Sequence, residues 1–317
     1  MHRLILLLAT VVLCLPLLVG VAQADSDPYV PNPGIEATYF QPGPWAVTER
    51  LGFGCCDSTG AKFDLWHPSE LEARHSIVVW GDGTGAVPKQ YSYLLRHLAS
   101  WGFVVVATEN QQTGSGQEII ESLDFLLKQA ADPASVFYRK LDPDSVGAMG
   151  HSQGASGVLN ALKRAQGRIK TAVPLELPAR VWCLTGNWCP DTSTLTASSV
   201  FLVNGSEDSL ISPSHQPLPW QTSGLQSNQA FFEAIPAHLP KVWATLNGPN
   251  HNDVQGQPTC AGASFPCTTG VYGYLGYPTA WLMSQLRGDA KARRAFVVGG
   301  ELSTPSANWS NQSTNLN

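Results

Sequence analysis

Three side chains in this 317-residue sequence could together make a hydroxyl attack a carbonyl carbon. Ser152 stands in Gly150-His151-Ser152-Gln153-Gly154, a G-x-S-x-G run between "SVGAM" and "ASGVLNALKRA". A neutral hydroxyl is a poor nucleophile; it needs a base, and the base needs a carboxylate that fixes its tautomer. Asp208, just past "SSVFLVNG" in a Gly- and Ser-rich turn, is the candidate acid, with Glu207 as the neighbour it could be confused with. His251, in a Gly-Pro-Asn loop after "KVWATLNG", is the candidate base. Two other histidines compete with it. His238 precedes that run rather than following it, and His215 lies in a Pro-rich loop close to the acid. The order Ser, acid, His suits a nucleophile raised on a strand-to-helix turn.

Acyl transfer also needs two preorganised N–H donors for the oxyanion, and losing one typically costs ~10²–10³ in rate. One donor is expected from the backbone of Gln153. The other is expected from the loop "WGDGTGAVPKQ", with Thr84 first and Gly83 or Gly85 as alternatives. The same loop admits another class of function. Gly81, Gly83 and Ala86 satisfy G-x-G-x-x-A, and Glu109 ends the next strand-like run, a dinucleotide fingerprint on paper. Against it, Pro88 marks a helix start later than the glycines, and the fingerprint leaves Ser152, Asp208 and His251 unused. His151 is expected either to line the pocket or only to pack.

The elements that must position these residues alternate. "SIVVWG", "FVVVATE", "SVGAMG", "KTAVPLE", "SSVFLVNG" and "KVWATLNG" read as buried strands. "PKQYSYLLRHLASWG", "GQEIIESLDFLLKQAA", "ASGVLNALKRA" and "TAWLMSQLRG" read as helices. This predicts an α/β protein with a mostly parallel central sheet covered by helices on both faces. "IEATYF", "AVTERLGF" and "KFDLWHP" read as short antiparallel strands at the N-terminus. The expected organisation is a signal peptide at 1–24, a catalytic domain at 25–300 and a flexible polar tail at 301–317. Asn204, Asn308 and Asn311 lie in N-x-S sequons.

Composition narrows the function class. Charged residues make up 14% and the net charge is −5, with no basic stripe for nucleic acid. Arg3, the apolar run Leu4 to Val21 and Ala22-Gln23-Ala24 predict export and cleavage, the rival being a retained membrane anchor. Export would make the protein secreted, or periplasmic in a Gram-negative source, with no stable membrane insertion after cleavage. Cys14 lies in that run. The other six cysteines suggest disulfides, with Cys183/Cys189 and Cys260/Cys267 spaced to close small loops and Cys55/Cys56 adjacent; the pairing stays open.

The stretches "YLLRHLASWGFVVVATEN", "GHSQGASG", "VFLVNGSEDSLISP", "TLNGPNHND" and "TAWLMSQLRGD" resemble the α/β-hydrolase superfamily, within it the secreted cutinase-like and polyester hydrolase branch and its dienelactone hydrolase cousins. The resemblance implies the α/β-hydrolase fold and a serine carboxylic-ester hydrolase working through an acyl-enzyme, with Ser152, Asp208 and His251 as triad and Thr84 and Gln153 at the oxyanion. It implies no cofactor and no metal, and an ester substrate, small or polymeric, handled by a monomer. This sequence departs from the branch in three places. Thr84 replaces an aromatic residue, Gln153 replaces a methionine, and Leu177-Pro178 stands where a tryptophan is usual. The substrate contacts expected are Gly83, Gly85, His151, Leu177 and Trp182, with Trp220 as another replacement for the missing aromatic. An acyltransferase on the same triad and a non-catalytic binding protein on the same fold are the alternatives.

Overall fold

The structure is a computed structural model that describes residues 29–317 apart from 73, 187 and 217–223. The expected signal peptide at 1–24 and Trp220 lie outside the described residues. In chain order the elements are α1 (Ile35–Phe40), β1 (Val47–Gly54), β2 (Phe63–Pro68), β3 (His75–Gly81), α2 (Ser92–Ser100), β4 (Val104–Thr108), α3 (Gln117–Ala131), β5 (Leu141–His151) and α4 (Gln153–Arg164). They continue with β6 (Thr171–Leu175), α5 (Arg180–Cys183), β7 (Ser199–Gly205), α6 (Asn228–Ala234), β8 (Lys241–Leu246), α7 (Gly276–Arg287), α8 (Ala290–Arg293) and β9 (Trp309–Thr314).

The nine strands form one sheet in the order β1-β2-β4-β3-β5-β6-β7-β8-β9. From β4 to β8 every pairing is parallel, while β1, β2 and β9 pair antiparallel. Both faces are covered, so the central strands are apolar throughout. In β3, Val78 and Trp80 enter the core built with Leu94, Leu95 and Leu98 of α2 and Tyr277 and Trp281 of α7. Ile77 and Val79 enter the opposite core with Ile119, Leu123 and Leu126 of α3 and Val158 and Leu162 of α4. This is the α/β-hydrolase fold, and it aims the carboxyl ends of β3, β5, β6, β7 and β8 at one rim.

Two expectations fail. "IEATYF" is not a strand but α1, whose first N–H groups are capped from far along the chain. Glu301 accepts the Ile35 N–H at 2.6 Å and the Glu36 N–H at 2.8 Å. The stretch 301–317 is not a flexible tail either. Residues 309–314 pair with β8, and Trp309 is buried, its indole N–H donating to Glu36 at 2.8 Å. Sparse apolar content misled there, because one tryptophan and a row of backbone hydrogen bonds are enough to dock an edge strand. Asn204 is wholly buried and accepts the Trp243 indole N–H at 3.0 Å, so its sequon is closed in the fold. The cysteines pair as Cys55–Cys56, Cys183–Cys189 and Cys260–Cys267.

Candidate active site

Ser152 sits between β5 and α4 with φ 55° and ψ −121°, a left-handed backbone that a non-glycine residue adopts only under local constraint. The constraint is visible. The Ser152 N–H donates to the Leu175 carbonyl at 3.0 Å. Gly154 packs against β3 so tightly that a Cβ there would collide with the Gly81 carbonyl, and one on Gly150 would lie 2.6 Å from the Gly154 carbonyl. Two of the pattern's glycines are thus required by backbone packing.

His251 comes from the loop beyond β8. Buried Asp253 organises that loop by accepting the N–H groups of Asn250 at 2.8 Å, Thr268 at 2.9 Å and Gly270 at 2.6 Å, and also that of Thr269. The loop delivers His251 Nε2 to 2.8 Å from Ser152 Oγ and His251 Nδ1 to 2.5 Å from Asp208 Oδ2. With Nδ1–H donating to the carboxylate, Nε2 is free to accept the serine proton. Burial would raise the Asp208 carboxyl, but the hydrogen bond and charge of His251 and the N–H groups of Ile211 and Ser212 overcome it and hold the carboxyl low. His215 and His238 are elsewhere. His215 bonds Gln229 and Asn311, and His238 lies on a separate surface pocket. Glu207 is exposed and faces Ser206.

The glycine loop after β3 shows which donor it leaves unused. The Gly83 N–H donates to the Tyr91 hydroxyl at 3.1 Å and the Gly85 N–H to the Gln111 carbonyl at 3.1 Å. Among the described residues the Thr84 N–H has no acceptor, and neither has the Gln153 N–H, the first of α4. The first helical residue after this loop is Pro88, beyond the glycines, which is not the geometry of a dinucleotide fingerprint. His151 is buried but reaches the cleft. Tyr91 accepts from Gly83 and from Gln255 Nε2 at 3.2 Å, so its own hydroxyl donates to His151 Nδ1 at 3.0 Å. His151 Nε2–H therefore donates to the His251 carbonyl at 2.7 Å. Burial, helped by the charge of His251, lowers the His151 imidazole to about 3, so it stays neutral and ties the glycine loop to His251.

The cleft above Ser152 holds about 320 Å³. Gly83, Thr84 and Gly85 form one wall, Pro178, Trp182 and Trp188 another. Leu177 does not take part. It is fully buried in the core beneath the sheet, and Pro178 takes its place, because the turn after β6 points successive side chains to opposite sides. Trp182 is 44% exposed, with its indole N–H donating to the Leu210 carbonyl at 3.0 Å. Trp188, Tyr91 and Gln255 escape a reading of sequence motifs. Trp188 had one available signal, its place inside the Cys183–Cys189 loop, which the Asn160 side chain anchors through the Trp188 carbonyl at 2.9 Å. Glu176, Asp208 and His251 cluster closely, as do Asp253, Cys260 and Cys267. In the first set Asp208 and His251 are bonded to each other, and in the second the sulfurs form a disulfide, so neither set is arranged to hold a metal.

A family model described as PET hydrolase-like matches residues 22–241. The chain belongs to this family. It is accordingly an ester hydrolase. A bis(hydroxyethyl) terephthalate hydrolase of Streptomyces coelicolor is 27% identical over 240 residues, covering 73% of this chain and 68% of that protein. The cleft of this chain is walled by Thr84 and Pro178 beside Ser152, by Trp182 just before Cys183 and by Trp188 inside the Cys183–Cys189 loop.

Proposed function

We propose that the protein is an exported serine hydrolase that cleaves carboxylic esters with an aromatic acyl group and a small alcohol through an acyl-enzyme. The observation that carries this reading is the unbroken line from Ser152 Oγ to His251 at 2.8 Å and on to Asp208 at 2.5 Å, opening into the cleft. Ser152 attacks the ester carbonyl while His251 Nε2 takes its proton. The oxyanion is held by the Thr84 and Gln153 N–H groups, which have no other acceptor among the described residues. His251 gives the proton to the departing alkoxide, and the alcohol leaves. Water, deprotonated by His251, then attacks the acyl-serine and releases the acid. Asp208 steadies the imidazolium throughout.

Trp182 and Trp188 offer flat apolar faces next to Ser152, suited to an aromatic ring rather than a long alkyl chain. The terephthalate ester named for the Streptomyces coelicolor relative fits that shape. Three disulfides and the apolar segment behind Arg3 support export to an oxidising compartment. The test is hydrolysis of p-nitrophenyl acetate and bis(hydroxyethyl) terephthalate by the wild type beside Ser152→Ala. The expected loss in the variant is ~10⁴-fold or more on both. Equal rates in the two proteins would sink the assignment of Ser152.

A further inference from the structure

Directly behind the Asp208 carboxylate lies a second acid that the reaction above does not use. Glu176 follows β6 with φ 50°, and its N–H donates to the Val203 carbonyl at 2.9 Å. Its side chain is fully buried. One ligand atom each of Glu176, Asp208 and His251 falls within a 4.8 Å cluster. The Tyr274 hydroxyl donates to Glu176 Oε1. Oε2 is buried and, among the described residues, makes no hydrogen bond, although the Gly205 N–H also faces this carboxyl. The Asp208 carboxyl lies beside this acid, one oxygen of each falling inside the same 4.8 Å cluster.

Two acceptors in that arrangement are a contradiction unless a proton lies between them. Two adjacent carboxylates in a buried site cannot both ionise without a cation, as in the paired acids of aspartic proteases. The groups facing Glu176 are Asp208 and His251 from the loops after β7 and β8, and Tyr274 from the short helical turn Val271–Tyr274. Asp253 stands behind Tyr274 and His151 behind His251. None of these is a lysine or arginine. Asp208 already accepts from His251 and from the Ile211 N–H at 3.1 Å, so it is the anion of the pair.

We propose that Glu176 is a positioning residue for the acid of the triad: it stays protonated and donates its Oε2 proton to the Asp208 carboxylate. Burial and the charge of Asp208 both push the Glu176 carboxyl well above the usual range, in agreement with that role. The consequence is electrostatic. A carboxylate that accepts an extra hydrogen bond is a weaker base and holds the imidazolium less tightly, so His251 keeps its free Nε2 down to lower pH. The site then carries one negative charge, not two.

The inference rests on Asp208 and His251 being the reacting pair, which the Ser152→Ala comparison tests separately. Its own test is the pH profile of kcat/KM on p-nitrophenyl acetate for Glu176→Gln and Glu176→Leu, with melting curves to establish folding. Glutamine keeps a donor without charge, so its acid limb should stay within a few tenths of a pH unit of wild type. Leucine removes the donor, and its acid limb should rise by about one pH unit, the worth of one hydrogen bond to a charged group. The infrared difference between wild type and Glu176→Gln should show the C=O stretch of a protonated carboxyl group, whether or not the leucine variant folds. An acid limb lowered by about one pH unit or more in Glu176→Gln would mean that an anion had been removed and would overturn the proposal. So would an unshifted profile in folded Glu176→Leu, or the absence of the protonated carboxyl band.

Discussion

Trp182 and Trp188 reach the cleft from the two sides of Cys183, Trp188 on the loop that the Cys183–Cys189 disulfide closes and Trp182 just before it. A ring stacked on such a face gains about 0.5–1.5 kcal/mol beyond its buried area. Truncating either tryptophan should therefore raise KM for bis(hydroxyethyl) terephthalate about three- to tenfold. KM for p-nitrophenyl acetate measured beside it should move little, since its acyl group has no ring to grip. Equal increases on both substrates would place the tryptophans in general packing instead. At this scale the sequence was most informative where chemistry is tied to a local pattern. Gly150 and Gly154 mark Ser152 because two backbones touch there, and Asp208 and His251 each lie within five residues of the end of a buried strand, His251 as the first base in its loop and Asp208 next to exposed Glu207. Glu176, Tyr91 and Gln255 carry no such mark. Their partners lie 98, 60 and 164 residues away, and only the folded sheet rim brings them together.

The strands were legible as elements because both faces of the sheet are covered and each central strand is a short unbroken apolar run. Helices α2, α3 and α4 were legible from their apolar faces. Segment α1 was not, because its cap is supplied by Glu301 rather than by its own flanks. Helix α2 carries a testable consequence of burial. His97 is 7% exposed and its Nε2–H donates to the Tyr39 carbonyl at 2.9 Å. Burial lowers its imidazole from 6.5 to about 4. The unfolded chain takes up this proton below about pH 6.5 and the folded chain does not, so between the two values stability decreases by about 1.4 kcal/mol for each unit the pH is lowered. His97→Gln keeps a donor for Tyr39 but has nothing to protonate. Its deficit in Tm against wild type should be largest at pH 7 and shrink as the pH is lowered to 4.5. The buried carboxyls act alike in both proteins and drop out of the difference. A deficit independent of pH would mean that His97 takes up its proton as readily in the fold as in the unfolded chain.

For the molecule as a whole, the two ends of the described chain close the structure together, and the site depends on that closure. Strand β9 covers the edge of β8 and meets it at its carboxyl end, where Leu246 pairs with Trp309 and the Asn247 N–H donates to the Asn308 carbonyl at 2.8 Å. Five residues beyond Leu246 is His251. On the other side Trp309 reaches Glu36, a buried acid that also accepts the Tyr29 hydroxyl at 2.6 Å and the Asn32 N–H at 2.7 Å. Deleting residues 309–317 would open the β8 edge, remove a buried indole and leave Glu36 short of a donor at once. Losing the indole alone costs about 3–5 kcal/mol. The truncated protein should melt about 10 °C or more below wild type. Trp309→Phe, which keeps an aromatic ring and removes the N–H, should lose about 1–3 kcal/mol, since buried Glu36 gives up one of its three donors. Because β9 fixes the end of β8 from which the His251 loop departs, the truncation should also lower kcat/KM on p-nitrophenyl acetate at temperatures where the protein is still folded. A deletion with unchanged Tm and unchanged activity would return this segment to the flexible tail that its polar sequence suggests.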